Sequence, residues 1–103
     1  MRRGEVWWHE PPKEKGRPVV ILTRDEMING VADVIAMPAS RTAHHWLTEV
    51  EVGTEDGMPT TSFLVAENTL SAEKVFLLAR MTELGAEKMN EVCRALATAT
   101  SCR

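Results

Sequence analysis

Cysteine is scarce in this chain: only Cys93 and Cys102 are present, both within the last eleven residues. A disulfide between them would staple almost nothing and they lack CxxC spacing, so reduced thiols and a cytoplasmic location are expected. No apolar run approaches the roughly 20 residues that span a bilayer. Glu5 and His9 interrupt the stretch where a signal peptide would carry its apolar core. The three histidines, His9, His44 and His45, form neither a zinc signature nor a His–carboxylate motif, so no metal or cofactor is expected. Internal repeats and low-complexity tracts are absent. An overall basic charge is missing too: the formal net charge is −3, which argues mildly against a nucleic-acid partner.

The distribution of charge says more than its sum. Residues 1–24 carry six basic side chains (Arg2, Arg3, Lys13, Lys15, Arg17, Arg24) against three acids, whereas residues 25–73 carry nine acids and one base, Arg41. A polyanion would therefore meet only a local basic patch, through fields that survive salt screening over short range. Ordinary solvated faces produce the same asymmetry. With 103 residues, 44% hydrophobic and 26% charged, the chain has the size and composition of one globular domain spanning 1–103.

The periodicity reads as strands first and a helix last. Glu5–Glu10 is a first strand, followed by a polar loop from Pro11 to Gly16. Arg17–Thr23 is a second strand whose continuous Val-Val-Ile-Leu run implies burial on both faces. Asn29-Gly30 signals a turn, and Val31–Met37 resumes as a third strand. Leu47–Val52 alternates as a half-buried strand does, and Thr61–Ala66 is another. Ser71-Ala72-Glu73-Lys74 reads as an N-cap opening a single helical turn, before Leu77–Leu84 returns to the sheet. Met89, Val92, Cys93 and Leu96 then repeat at helical spacing, an amphipathic helix laid on the sheet by one face. Many short antiparallel strands with one C-terminal helix define a mainly β fold with α, a small SH3-like barrel. Trp7 and Trp8 must point to opposite sides of their strand, which puts one in the core and the other on an exposed or interface surface.

Lys15-Gly16-Arg17-Pro18-Val19-Val20 is the most informative stretch. Proline fixes its own backbone angle and pushes the preceding residue towards an extended conformation. Arg17 is thereby held at the mouth of a strand, where a planar, permanently charged fork suits a phosphate.

This segment, together with Arg2-Gly4-Glu5-Val6-Trp7, resembles the MazF/PemK family of toxin endoribonucleases. Thr48-Glu49-Val50-Glu51-Val52 is similar to the family's alternating strand, and Met81-Thr82-Glu83-Leu84 precedes its closing helix. The order and spacing of these segments extend the resemblance over roughly nine-tenths of the chain. It implies a CcdB/PemK-like fold and metal-independent, sequence-selective cleavage of single-stranded RNA. In that chemistry the ribose 2′-oxygen attacks the adjacent phosphorus, leaving a 2′,3′-cyclic phosphate and a 5′-hydroxyl. Stabilised phosphoryl oxygens, a proton acceptor and a proton donor are then required.

Arg17 matches the family's catalytic arginine, with the role of stabilising the pentavalent phosphate, since a guanidinium stays protonated. Pro38-Ala39-Ser40 falls where the family has a motif ending in threonine, and Ser40 keeps a hydroxyl that can donate to the same phosphate. Lys13, Lys15, Arg24, Arg41, His44, Glu67 and Asn68 are the candidate RNA-binding residues. Glu67-Asn68 sits where an Asp-Asn or Asp-Gln pair is common, and His44-His45 beside Trp46 has rings that stack on unpaired bases. The plainer reading of that last stretch is a solvated loop anchored by one half-buried tryptophan. The proton acceptor stays open among His9, Glu10 and Glu14, and His9 also reads as a plain surface or strand-edge side chain.

The chain departs from the family at Val65-Ala66-Glu67, which is less polar, and in the short Pro11–Gly16 loop. The implied partners are single-stranded RNA (mRNA, with tRNA and rRNA as further candidates), a cognate antitoxin and a second copy of the chain. RNA would then cross near the subunit junction. Two alternatives remain: a barrel toxin that binds a protein target as gyrase poisons do, and a silenced RNA-binding relative.

Overall fold

The structure is a computed structural model and describes residues 1–102. Seven strands form one antiparallel sheet: β1 (Glu5–His9), β2 (Arg17–Ile21), β3 (Asp33–Ser40), β4 (Glu49–Val52), β5 (Ser62–Val65), β6 (Leu70–Glu73) and β7 (Leu77–Glu83). Their order is β4-β5-β3-β2-β1-β7, with β6 paired to β3. A short helix α1 (Asp25–Ile28) follows β2, and α2 (Ala86–Thr100) closes the chain. This architecture matches the fold expected from the sequence.

Burial of the Val-Val-Ile run follows from two separate cores. Val20 joins Val6, Met37, Leu64 and the inner face of α2 (Val92, Ala95). Val19 and Ile21 point the other way, into a second cluster with Ile28, Val34, Ala36 and Leu77. Successive residues of one strand thus fill opposite sides of a curled sheet, which is why the run shows no polar alternation. β4 has the opposite signature: Val50 and Val52 are buried while Glu51 is exposed, as its alternation predicts.

β5 and β6 together run along one edge of β3. Ala39 pairs with Leu64 and Ala36 with Leu70, so three steps on β3 answer six on the partner. The excess is taken up by a 3-10 turn, Ala66–Asn68, which displaces Glu67-Asn68 out of the ladder.

Several local expectations are corrected. Ser71 is not a helix cap but lies inside β6, opposite Ile35, because pairing with β3 outweighs the local capping preference. The helical turn comes later, at Lys74–Phe76. The third strand starts at Asp33 and runs through Pro38-Ala39-Ser40, and α1 precedes it, which the sequence pattern did not indicate. β2 ends at Ile21 rather than Thr23, and β4 begins at Glu49, leaving Leu47 89% exposed. Neither tryptophan is fully core or fully exposed: Trp7 packs partly buried against the second cluster, and Trp8 is half-buried.

Candidate active site

Arg17 opens β2, and the ladder fixes what surrounds it. β1 places His9 directly across from it. On the other side β2 meets β3 with Val19 opposite Pro38. The ladder stops there, and Ser40, paired with Phe63 of β5 at the end of β3, lines the same concavity as Arg17. Arg17 is exposed, so its guanidinium is free to meet a ligand.

A concavity of about 310 Å³ lies beside it, lined by Arg17, Lys15, Arg41, Ser40, Trp8 and Met81 among others. A smaller one of about 170 Å³, on Arg17's other flank, is lined by His9, Glu14, Lys15, Arg17 and Asn68. Arg17 and Lys15 line both, so they stand on the ridge between two hollows.

The wall of the larger hollow is built from Trp8. Its indole N–H donates to Glu10 Oε1 at 2.8 Å, which fixes the ring and occupies that carboxylate. Met58, Pro59 and Thr60 from the β4–β5 connection and Met81 from β7 complete the wall. An aromatic face flanked by thioethers and cations suits an unpaired base.

Ser40 keeps a free donor. Its Oγ accepts the backbone N–H of Thr42 at 3.1 Å, which leaves the hydroxyl proton available to a ligand in the hollow. The cations around it are similarly available. Arg2, Arg80 and Lys88 are engaged in ion pairs elsewhere on the surface, but among the described residues Lys15, Arg17 and Arg41 make none. Three unpaired cations around one concavity form a local positive patch on a chain whose net charge is −3.

The remaining sequence candidates separate. Asn68 reaches the smaller hollow because the 3-10 turn turns it out of the ladder, whereas Glu67 beside it is exposed and lines neither hollow. Lys13 is exposed at positive φ in the β1–β2 loop and lines neither. Arg24 precedes α1 and borders a different, apolar depression with Leu22, Met27 and Ile35. His44 is committed within its own loop: its ring stacks on Trp46 with centroids 4.4 Å apart, and Nδ1 lies 2.6 Å from Glu49 Oε2. Burial alone would raise the Glu49 pKa, but hydrogen bonds from His44 outweigh it and lower it. Trp46 is 48% exposed, in line with a solvated loop. His9 ends its strand yet is not a surface side chain, being 8% exposed. Among the described residues, no group of three or more His, Cys, Asp or Glu side chains comes together as a metal cluster would need.

Trp8, Met58 and Met81 were missed as site residues. They are far apart in sequence and meet only when β7 folds back on β1. The one local signal was Gly16, whose missing side chain leaves room for the Trp8 ring.

A curled antiparallel sheet closed by a C-terminal helix thus carries an arginine and a hydroxyl at one basic hollow. Residues 2–100 match the PemK-like, MazF-like toxins of type II toxin-antitoxin systems, and the chain belongs to that family. It is 33% identical over 102 residues to the probable endoribonuclease MazF5 of Mycobacterium tuberculosis, covering 97% of this chain and 93% of that one. It is 29% identical over 103 residues to the probable endoribonuclease MazF2 of the same species, covering 99% and 100%. An endoribonuclease from a mycobacterial species, solved in complex with its cognate antitoxin, superposes with a TM-score of 0.88. That pair is 26% identical, over 100% of this chain and 97% of that one.

Proposed function

We propose that this protein is the toxin of a toxin-antitoxin pair and cuts single-stranded RNA by metal-independent transesterification. The scissile phosphate sits on the ridge between the two hollows. Arg17 gives it two charge-assisted hydrogen bonds and Ser40 a third, from the hydroxyl that Thr42 leaves free to donate. These bonds strengthen as negative charge builds on the phosphoryl oxygens, so they favour the transition state over the bound substrate. Lys15 and Arg41 hold the neighbouring phosphates, and Trp8 stacks a base. The observation that carries this reading is the set of unpaired cations around the hydroxyl-bearing hollow.

The antitoxin in this reading supplies an acidic segment that occupies the same hollow, a carboxylate taking the place of the phosphate. The toxin acts in the cytoplasm as one domain over 1–103 and as a homodimer. β7 has an open edge and carries Leu78, 59% exposed, in support of a second copy covering it. The deciding experiment incubates the purified protein with a long single-stranded RNA in EDTA and analyses the new ends. Products ending in 2′,3′-cyclic phosphate and 5′-hydroxyl support the proposal. Intact RNA, or 5′-phosphate ends, refutes it, and intact RNA with tight binding favours a silenced relative.

A further inference from the structure

The smaller hollow contains a side chain that phosphate binding does not use. His9 is the last residue of β1, directly opposite Arg17, so the two side chains leave the same face of the sheet. Such cross-strand neighbours have β-carbons about 5 Å apart. The ladder to β7 shifts register between Trp8 and His9, an irregularity that re-aims a side chain at the end of a strand. His9 is 8% exposed, yet among the described residues no protein group hydrogen-bonds its ring, and no fully buried side-chain nitrogen lacks a partner. Its ring nitrogens therefore reach the surface, where His9 lines the hollow that it shares with Arg17 and a neighbouring one beside Glu73 and Phe76.

We infer that His9 is the general base of the cleavage, taking the ribose 2′-hydroxyl proton as that oxygen attacks the phosphate held by Arg17. The inference rests on the endoribonuclease reading above. In the step, the 2′-hydroxyl proton passes to the lone pair of a His9 ring nitrogen and the 2′-oxygen–phosphorus bond forms. The phosphorus–5′-oxygen bond breaks, and the departing 5′-oxygen takes a proton from water. His9 then returns its proton to solvent.

The surroundings suit an acceptor. Burial lowers the His9 pKa and Arg17 lowers it further, against an opposing pull from Glu14, which favours the neutral ring that can accept a proton. The other charged groups about it are Lys15 in the same hollow and Glu73 at the end of β6, while β7 faces it with apolar Leu77. Of the two carboxylates near this loop, Glu10 is already bonded to Trp8.

The test is single-turnover cleavage of a defined RNA between about pH 4.5 and 8, for the parent and His9→Gln. The parental rate should rise with pH and level off above an inflection below about 6.5. His9→Gln should lose that inflection and about 10²–10³-fold of the plateau rate. Its affinity for an RNA with 2′-deoxyribose at the cleaved position should stay within a few-fold of the parent's. A substrate with sulfur in place of the leaving 5′-oxygen needs no proton donor, so it should leave the variant slow. Full rescue by that substrate would make His9 the acid and overturn the assignment, as would a variant with the parental rate and acid limb. If the variant does not fold, the parental profile decides alone, and the absence of an inflection below about pH 6.5 contradicts the role. A parent that cuts no RNA at any pH instead defeats the endoribonuclease reading. A parent that cuts, with Arg17→Ala inactive and His9→Gln unimpaired, defeats only the base.

Discussion

Gly16 lies flat against the indole of Trp8: a β-carbon at residue 16 would fall 2.5 Å from Trp8 Cζ2 and 2.6 Å from Nε1. No side chain fits there unless the ring moves, and the ring is tied to Glu10 at the same nitrogen. Gly16→Ala should therefore push Trp8 out of the wall of the larger hollow. The expected outcome is RNA affinity reduced about tenfold, in line with the loss of one base-stacking contact of ~1–3 kcal/mol. Fluorescence of Trp8, in a background with Trp7 and Trp46 changed to phenylalanine, should show a more solvated ring. Unchanged affinity and emission would remove Trp8 from the site.

The cations divide into two groups by position, and salt dependence separates them. Lys15→Ala and Arg41→Ala should each lower the slope of log affinity against log salt by about 0.7, the value for one phosphate contact on a single strand. Arg24→Ala, on the depression beside α1, should leave the slope unchanged. Titrations at several salt concentrations check this, and equal losses for all three would mean a diffuse patch rather than a built site.

Glu5 anchors the start of β1, where Trp7 Nε1, Arg80 Nε and the Arg2 backbone N–H all donate to its carboxylate at 2.9–3.0 Å. Burial by itself would raise its pKa, but those bonds outweigh it and bring it from 4.5 down to about 2. A depressed folded-state pKa stabilises the protein above the unfolded value and loses that stabilisation as pH falls towards the folded value. The loss should therefore run from about pH 4.5 to about 2. Glu5→Gln should cost about 2 kcal/mol at pH 7, with the gap to the parent closing across that window. Urea melts at three pH values would show it, and a gap independent of pH would contradict the role given to the charge.

Antitoxin and RNA should compete. An acidic peptide segment that inhibits cleavage should lose affinity when Arg17 becomes alanine, and saturating RNA should displace it. Simultaneous binding of both at full affinity would place the antitoxin elsewhere.

Much of this arrangement was legible in the sequence because its causes are local. The Val19–Ile21 run, the alternation of Glu49–Val52 and the helical spacing of Val92 and Leu96 each follow from the face a residue must bury. The meeting of Arg17 and Ser40 was legible only through the family resemblance, and both line one hollow. β6 was misread because Ser71-Ala72-Glu73-Lys74 satisfies a capping pattern, and only its partners Asp33–Ala36 decide for strand. Trp8, Met58 and Met81 share a wall, and His9 is buried, through contacts among β1, β7 and distant turns that no window of sequence contains.

The central claim is that Arg17 and Ser40 together stabilise the phosphate during cleavage. Ser40→Ala should cost less than Arg17→Ala, and Ser40→Thr should hold or raise the rate, since the hydroxyl is kept and its rotamer narrowed. Arg17→Lys should rescue little, because an ammonium lacks the planar fork. The most direct measurement is the single-turnover cleavage rate of Arg17→Ala against the parent, in EDTA, at matched circular dichroism. We predict a loss of a hundredfold or more, about 3 kcal/mol in the barrier. An Arg17→Ala protein that cleaves RNA as fast as the parent would contradict the account.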